Sequence, residues 1–129
     1  MIERKQIPRL LIEVSPTFAR GRAAWTWDWH QSRQPPLYLL VSEFVRHLTT
    51  LNARGRRNDF PRVFALVESM LREGDPYVRE LARVGFLEDL QDTSYHRTGS
   101  HPDDFVKYLQ PASKRAWQEL ETFWEEDGR

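Results

Sequence analysis

Residues 37–90 decide the fold, and their sequence is LYLLVSEFVRHLTTLNARGRRNDFPRVFALVESMLREGDPYVRELARVGFLEDL. Apolar residues recur in this stretch at intervals of three and four. The first stripe consists of Leu37, Val41, Phe44, Leu48 and Leu51, and the second consists of Phe60, Val63, Phe64, Val67, Met70 and Leu71. This spacing is typical of α-helices that bury one face, so the stretch predicts two amphipathic helices.

Two breaks separate the predicted helices. They are residues 58–61, Asn-Asp-Phe-Pro, and residues 74–76, Gly-Asp-Pro. Each break places a residue whose side chain can cap a helix before a proline, and the fixed φ and missing N–H of proline suit a helix's first turn. We expect Gly74 to adopt the left-handed conformation that closes the helix before it.

The third apolar stripe runs from Tyr77 to Leu90 and covers nearly the whole circumference of a helix. Such a pattern predicts the central buried helix of the domain. Gly85 lies inside this helix and costs about 1 kcal/mol of helix propensity relative to alanine. A close contact between two helices would justify the glycine.

Further helices are predicted on both sides of this stretch. The first predicted helix covers residues 3–14. The proline at position 8 weakens its start, so the helix could begin only near Ile7. Ser100 and Asp103 resemble a capping box that opens a short helix. The inner stripe of the last helix consists of Ala116, Trp117, Leu120, Phe123 and Trp124.

The segment Thr17–Gln31 is harder to interpret. Trp25, Trp27 and Trp29 alternate as on one face of a strand, but no second strand of similar quality exists, so a helix is the better interpretation. We therefore predict an all-α fold, in which one compact domain spans residues 1–129. It would contain six or seven helices with antiparallel neighbours that could stack as in a solenoid.

The composition excludes several classes of protein. The chain of 129 residues is 40% hydrophobic and contains no cysteine, which rules out disulfides, thiolate metal sites and a cysteine nucleophile. The N-terminal residues lack the apolar core of a signal peptide, and no run approaches the roughly 18 apolar residues of a spanning helix. We expect a cytoplasmic protein without a membrane partner.

The net charge of zero hides an uneven distribution. Residues 1–62 contain eleven Lys and Arg against five Asp and Glu, a net charge of +6, and residues 63–129 carry −6. Such asymmetry can produce a charged face that attracts a partner of opposite sign. Alternatively, the helices fold back and mix the two halves in space.

Few residues indicate catalysis or metal binding. His96, His101, Asp103 and Asp104 lie in one short loop and could supply metal ligands, but their spacing matches no structural zinc site, and caps explain the same set. His47 follows a glutamate by one helical turn. We expect either that the two residues form a pair on the helix surface or that His47 is buried beside apolar residues. No nucleophile elbow or glycine-rich phosphate loop is present. We predict no catalytic residues, no cofactor and no metal.

Two charged surfaces remain as candidates for interaction. The arginines of residues 54–57 could contact phosphates, but an overall pI near 6.9 argues against nucleic-acid binding. The second surface is the acidic C-terminus, with Glu119, Glu121, Glu125, Glu126 and Asp127, which Asp103 and Asp104 could join. Carboxylates near a helix C-terminus oppose the helix dipole, so they gain nothing locally. This favours a role in binding a basic partner over a solubilising helix end.

Four segments carry a resemblance to a known family. They are residues 60–64, FPRVF; residues 75–78, DPYV; residues 85–91, GFLEDLQ; and residues 109–117, LQPASKRAW. Together they resemble a bacterial family of small all-helical proteins that accompany polymorphic-toxin and contact-dependent-inhibition systems as presumed immunity proteins. The resemblance covers about residues 37–124.

The resemblance implies a function. An immunity protein occludes the active or substrate-binding face of its cognate toxin, and toxins that are nucleases are often basic. We therefore expect the acidic residues to bind such a toxin, with an aromatic anchor such as Trp27 or Tyr95. The alternative is a helical adaptor or regulatory module without a toxin partner. The sequence does not define the oligomeric state.

Overall fold

The computed structural model describes residues 1–20 and 36–126, and secondary structure in these ranges is helical apart from one isolated backbone bridge. Its α-helices are α1 (Ile7–Val14), α2 (Leu37–Ala53), α3 (Phe60–Glu73), α4 (Pro76–Glu80), α5 (Glu88–Gln91) and α6 (Pro111–Glu126). A π-helix, Leu81–Leu87, joins α4 to α5. Short 3-10 helices cover Arg4–Gln6, Pro16–Arg20, Thr93–Tyr95 and Pro102–Tyr108. The predicted all-α fold is confirmed.

The two stripes of the opening stretch form the core as predicted. Helix α2 ends before the first predicted break, α3 lies between the two breaks, and most residues of both stripes are buried. Aromatic rings fill the space between the helices: the ring of Phe64 lies about 6.0 Å from the rings of both Phe86 and Phe105. Full burial of each phenylalanine stabilises the fold by about 1.5–3 kcal/mol.

The segment from α4 to α5 is the central element, as its apolar circumference predicts. It packs against α2, α3 and α6, and its buried residues include Leu81, Phe86 and Leu90. A Cβ on Gly85 would lie 3.2 Å from the ring of Tyr38 on α2, so the expected close contact between helices is present. The π-helical turn, which the sequence pattern does not reveal, lies at this same contact.

Gly74 does not adopt the predicted left-handed conformation, so that expectation is wrong. Its φ of −74° and ψ of 155° are extended, because the chain here pairs with the N-terminal segment. The Ile2 N–H donates to the Glu73 carbonyl at 2.8 Å, and the Asp75 N–H donates to the Ile2 carbonyl at 2.9 Å. A Cβ on Gly74 would lie 2.6 Å from Val78 Cγ1, so the position requires glycine for space.

The two predicted helix caps behave differently. Asp75 caps α4, since its carboxylate accepts a hydrogen bond from the Val78 N–H at 2.8 Å. Asp59 makes no side-chain cap at the start of α3, so the prediction is wrong there. Its carboxylate instead accepts a hydrogen bond from the Ser15 hydroxyl at 3.0 Å and pairs with Arg62. A tertiary contact has replaced the local one.

The outer segments agree with prediction in part. Helix α1 begins at Ile7, which is the later of the two predicted starts. Of the predicted helix Thr17–Gln31, the structure shows a 3-10 helix over Pro16–Arg20. The alternating tryptophans, Trp25, Trp27 and Trp29, lie outside the described residues. On α6 the predicted inner stripe is buried except at its end, where Phe123 is 52% exposed.

Candidate functional site: an acidic groove beside helix α6

An open groove of about 650 Å³ lies between α6 and the segment that follows α5. One wall is a stripe of α6 that consists of Trp117, Glu121, Trp124 and Glu125. The opposite wall consists of Asp92, Thr93, His101, Pro102 and Asp103, with Gln91 between the two walls. The volume is within the range of about 300–1,000 Å³ that is usual for ligand sites.

The α6 wall follows from helical spacing. Trp117, Glu121, Trp124 and Glu125 are separated by four, three and one residues, so they share one face of the helix. Trp117 is 3% exposed and Trp124 is half-buried, whereas both glutamates are exposed. The groove therefore has an aromatic floor and an acidic rim. Apolar periodicity predicts both tryptophans in the core stripe but does not reveal that the same face of α6 extends to these glutamates.

Gln91 joins the two walls. Its Nε2 donates to the Trp117 carbonyl at 2.9 Å, and its Oε1 accepts a hydrogen bond from Trp124 Nε1 at 3.0 Å. Gln91 is the last residue of α5, so these two bonds fix α6 against the central element. The second of these bonds also holds the Trp124 indole against α5.

The loop wall is held by caps. The Asp92 carboxylate accepts a hydrogen bond from the Ser94 N–H at 2.9 Å. The capping box that opens the 3-10 helix Pro102–Tyr108 consists of His101 and Asp104, not the predicted Ser100 and Asp103. The His101 Nδ1 accepts from the Asp103 N–H at 3.1 Å, and the Asp104 carboxylate accepts from the His101 N–H at 2.9 Å. The box lies one residue later because Ser100 makes a tertiary contact instead.

A buried polar network supports this wall from behind. The Asn52 side-chain amide on α2 donates to Ser100 Oγ and to Asp104 Oδ2, both at 2.9 Å. The His96 Nε2 lies 2.7 Å from the Leu90 carbonyl, so it is the donor, and His96 Nδ1 accepts from Ser100 Oγ at 2.8 Å. Burial lowers the pKa of His96 and favours this neutral form.

The groove carries uncompensated negative charge. Among the described residues, none of its four carboxylates, Asp92, Asp103, Glu121 and Glu125, pairs with a lysine or arginine. His101 Nδ1 lies 3.6 Å from the Asp103 carboxylate and would pair with it only when protonated. By contrast, Glu119 on another face of α6 lies 3.4 Å from Arg83. The groove thus provides a negative field for a cation from outside.

Trp117 leaves one hydrogen bond unmade in the floor of the groove. Within residues 1–20 and 36–126, its indole Nε1 is the buried side-chain polar atom that lacks a hydrogen-bond partner. An unsatisfied buried donor costs about 1–3 kcal/mol and is uncommon in native proteins.

Three of the residues predicted for partner binding lie together in this groove. Asp103, Glu121 and Glu125 come from two different elements and face the same space. Glu126 is exposed at the last residue of α6 and does not line the groove. Trp27, one of the two predicted anchors, lies outside the described residues.

The other two predicted residues make contacts within the protein. Hydrogen bonds, first from Asn52 and then from the His101 N–H, outweigh burial and lower the pKa of Asp104. The Tyr95 hydroxyl donates to Ser42 Oγ at 3.3 Å, and the Arg46 guanidinium lies 4.4 Å from the Tyr95 ring centroid. Neither Asp104 nor Tyr95 lines the groove.

A second polar cluster joins α1, α2 and α3. The His47 Nε2 lies 3.3 Å from Ser15 Oγ and 3.1 Å from Thr17 Oγ1, and Ser15 also donates to Asp59. In a catalytic triad the carboxylate would orient the histidine, whereas here it contacts the serine, which is fully buried. His47 packs near the rings of Phe18 and Phe44, and burial lowers its pKa although Asp59 opposes this. The geometry indicates a clamp between helices.

The described residues offer little to metals or phosphates. Within residues 1–20 and 36–126, no group of three or more His, Cys, Asp or Glu side chains could hold a metal ion. The arginines of residues 54–57 do not act as one patch: Arg54 and Arg56 are exposed, but Arg57 donates to Asn52 Oδ1 at 2.6 Å. None of the described helices has both the length and the apolar content needed to cross a membrane.

In the part of the chain that the structure describes, the protein is all-helical and carries an acidic groove. The chain belongs to the family described as a domain of unknown function, DUF7674, whose sequence model matches residues 8–125. This match includes both walls of the groove and nearly all of α6. Comparisons with curated proteins and with solved structures gave no match.

Proposed function

We propose that this chain is a non-enzymatic immunity protein that binds a basic bacterial toxin through the acidic groove and blocks its active or substrate-binding face. The observation that carries the proposal is the set of four groove carboxylates that have no cationic partner among the described residues. The resemblance to presumed immunity proteins supplies the class of partner. The site of action would be the cytoplasm, where such a toxin meets its substrate.

Electrostatics supports a toxin that acts on nucleic acids. A nuclease must bind phosphates and therefore presents a basic surface around its active site. An acidic groove complements that surface and accelerates association, because the summed field steers the encounter. A protein that covers the basic surface competes directly with the phosphate backbone of the substrate.

The groove also has the anatomy of a binding surface. Its floor contains two tryptophans, a residue type enriched among the few side chains that dominate binding energy. Its walls are fixed by Gln91 and by the Asn52 network before any partner arrives. Preformed walls reduce the loss of side-chain entropy on binding.

Co-expression tests the proposal. The product of the gene directly upstream is expressed alone and together with this chain, growth is measured, and the complex is purified. We expect toxicity from the upstream product, restored growth on co-expression and a stable complex. A harmless upstream product without a complex would overturn the toxin assignment and favour a helical adaptor.

A matched pair of variants tests the surface. Glu121→Lys with Glu125→Lys reverses two groove charges, whereas Glu119→Lys with Glu126→Lys reverses two charges of α6 outside the groove. The groove pair should lose growth rescue and the control pair should keep it. Equal rescue by both pairs would place the contact elsewhere.

A further inference from the structure

We propose that the clamp of Ser15, Thr17, His47 and Asp59 is an acid-sensitive fastening of the N-terminal segment. Protonation of His47 opens residues 15–18 away from α2 and α3, while the start of the segment stays attached at Ile2. This inference concerns a conformational change within the chain and does not rest on the proposed function.

The hydrogen bonds of the clamp fix where the proton of the neutral His47 ring lies. Ser15 is fully buried, and its hydroxyl donates to Asp59 Oδ2 at 3.0 Å, so toward His47 it can only accept. His47 Nε2 lies 3.3 Å from Ser15 Oγ and 3.1 Å from Thr17 Oγ1, and therefore carries the hydrogen. A second proton enters at Nδ1, which makes no hydrogen bond within residues 1–20 and 36–126.

The surroundings of His47 disfavour this second proton. In the described part of the chain, the N-terminal side of the clamp presents two hydroxyls and the ring of Phe18, and none of these carries a charge. The ring centroids of Phe18 and Phe44 lie 5.5 and 6.2 Å from that of His47. Burial among these groups lowers the pKa of His47, because an imidazolium loses water there.

The charges near His47 oppose this effect but do not reverse it. Among the described residues, Asp59 at the start of α3 is the charge that raises the pKa of His47. It lies on the far side of the Ser15 hydroxyl and also pairs with Arg62. Glu43 and Arg46, the nearest charges in sequence on α2 itself, are exposed. Burial therefore prevails over the attraction of Asp59.

The attachments of the N-terminal segment differ in their response to acid. At its start, the backbone of Ile2 forms hydrogen bonds on both sides of Gly74, and the Arg4 guanidinium lies 4.4 Å from the Tyr77 ring centroid. Neither contact contains a group that titrates between pH 5 and 8. At the other end, His47 regains water when the clamp opens and binds a proton more readily. Acid thus loosens one end of the segment and leaves the other in place.

Amide hydrogen exchange in the whole chain measures the two ends separately. The Ser15 N–H donates to the Leu11 carbonyl at 3.1 Å, and the Phe18 N–H donates to the Ser15 carbonyl at 2.9 Å, so both report on the clamp. The Ile2 N–H, bonded to the Glu73 carbonyl at 2.8 Å, reports on the start of the segment. Protection factors, corrected for intrinsic exchange rates, are compared at pH 7.5 and 5.5.

The protection of Ser15 and Phe18 should fall about three- to tenfold between pH 7.5 and 5.5. The upper bound is about tenfold, because an open histidine that titrates near about 6.5 can favour the open state by no more over that interval. Protection of Ile2 should change less than twofold. An equal fall at both ends, or no fall at Ser15 and Phe18, would overturn the inference.

A matched pair of histidine variants identifies the titrating group. His47→Gln keeps a side-chain N–H for Ser15 and Thr17 but does not titrate, so the protection of Ser15 should agree within twofold at the two pH values. His96→Gln removes the other buried histidine, which lies outside the clamp, and should retain the fall. The same fall in His47→Gln as in the original protein would refute the role of His47.

The titration of His47 itself keeps the inference testable if His47→Gln fails to fold. Its ring C–H signals in NMR should titrate below the ordinary histidine value of about 6.5 in the original protein. Asp59→Asn should lower that midpoint further, because the attraction for the imidazolium is lost while an oxygen remains for Ser15. A midpoint at or above about 6.5 in the original protein would contradict the acid-sensitive clamp, whatever the outcome of the co-expression test.

Discussion

Asp103 and Asp104 are neighbours in sequence and have opposite environments. Asp104 accepts hydrogen bonds from Asn52 and from the His101 N–H, which lower its pKa and bind it to the fold. The Asp103 side chain is 78% exposed and has no lysine or arginine partner among the described residues. The same division applies to glutamates: Glu68 accepts a hydrogen bond from a buried backbone N–H, whereas Glu121 and Glu125 face the groove.

Glu68 shows what an internal carboxylate does. It is 5% exposed, and its oxygens accept hydrogen bonds from the Ala112 and Ser113 N–H groups at 2.8 and 2.9 Å. It therefore caps the first turn of α6 from α3, where the helix dipole favours an anion. Burial alone would raise the pKa of Glu68, but these hydrogen bonds and Arg72 outweigh it and lower the pKa. Glu68 and Asp104 accept hydrogen bonds that hold the fold together, whereas Glu121 and Glu125 accept none among the described residues.

The largest effect is expected at Glu68. Glu68→Ala should lower the free energy of unfolding by about 3 kcal/mol, because two buried N–H groups lose a charged acceptor. Glu121→Ala, the groove counterpart on α6, should change it by less than about 0.5 kcal/mol. Urea denaturation measures both. A similar loss for the two variants would abolish the distinction between internal and groove carboxylates.

The second expected effect is a decrease in stability on mild acidification. Burial lowers the pKa of His47 and His96 in the folded protein, whereas histidines of the unfolded chain titrate near about 6.5. Below that pH the unfolded chain binds more protons, so the free energy of unfolding falls until the folded pKa values are reached. Urea denaturation at pH 7.5, 6.5 and 5.5 should show this decline, and His47→Gln with His96→Gln should flatten it.

Carboxylates change the stability of the fold at lower pH than the histidines do, and some raise it while others lower it. The pKa values of Glu68 and Asp104 are lowered, so their stabilisation is present at neutral pH and is lost as the pH falls through the folded values. Burial raises the pKa of Asp89 despite its hydrogen bond from Ser42, so Asp89 opposes that trend. Asp89→Asn is therefore the control, and it should retain the decline between pH 7.5 and 5.5. If stability did not change between pH 7.5 and 5.5 in either the original protein or Asp89→Asn, the two histidines would not be neutral in the folded state.

A smaller effect of opposite sign is expected when groove charges are reversed. Glu121→Lys with Glu125→Lys places cations in the last turns of α6 and should raise the free energy of unfolding by about 0.5–1 kcal/mol. Thermal denaturation at low salt measures this change, and salt should reduce it. A loss of more than about 1 kcal/mol would show that these glutamates stabilise the fold.

The smallest effect is expected at Trp117, despite its burial. Trp117→Phe loses part of a ring, which costs about 1 kcal/mol in cavity terms, but it also removes a buried donor whose lack of a partner costs a similar amount. The free energy of unfolding should therefore stay within about 1 kcal/mol of the original. A loss above about 2 kcal/mol would show that the indole N–H has a partner in the free protein.

Sequence periodicity predicts most of this fold, since helical stripes and proline breaks are local signals. The bounds of α2 and α3, the Asp75 cap and the close contact at Gly85 all follow from such signals. Predictions fail where a distant segment makes the contact that was expected locally. Ile2 forms backbone hydrogen bonds on both sides of Gly74, and the Ser15 hydroxyl donates a hydrogen bond to Asp59.

The groove is predictable only in part for the same reason. The acidic character of α6 is visible in the sequence, and its spacing to Trp117 and Trp124 could have revealed the aromatic floor. The placement of Asp92 opposite α6 depends on the turn after α5, and the inward orientation of Asp104 depends on Asn52, 52 positions earlier in the chain. Neither contact leaves a periodic pattern.

The association rate of the purified complex tests the role of the groove most directly. Stopped-flow mixing with the upstream gene product is compared for Glu121→Gln with Glu125→Gln and for Glu119→Gln with Glu126→Gln, at low and at high salt. We predict that the groove pair slows association about tenfold at low salt and that the difference shrinks at high salt, while the control pair changes the rate less than twofold. Equal rates for the two pairs at low salt would contradict a partner site in the groove.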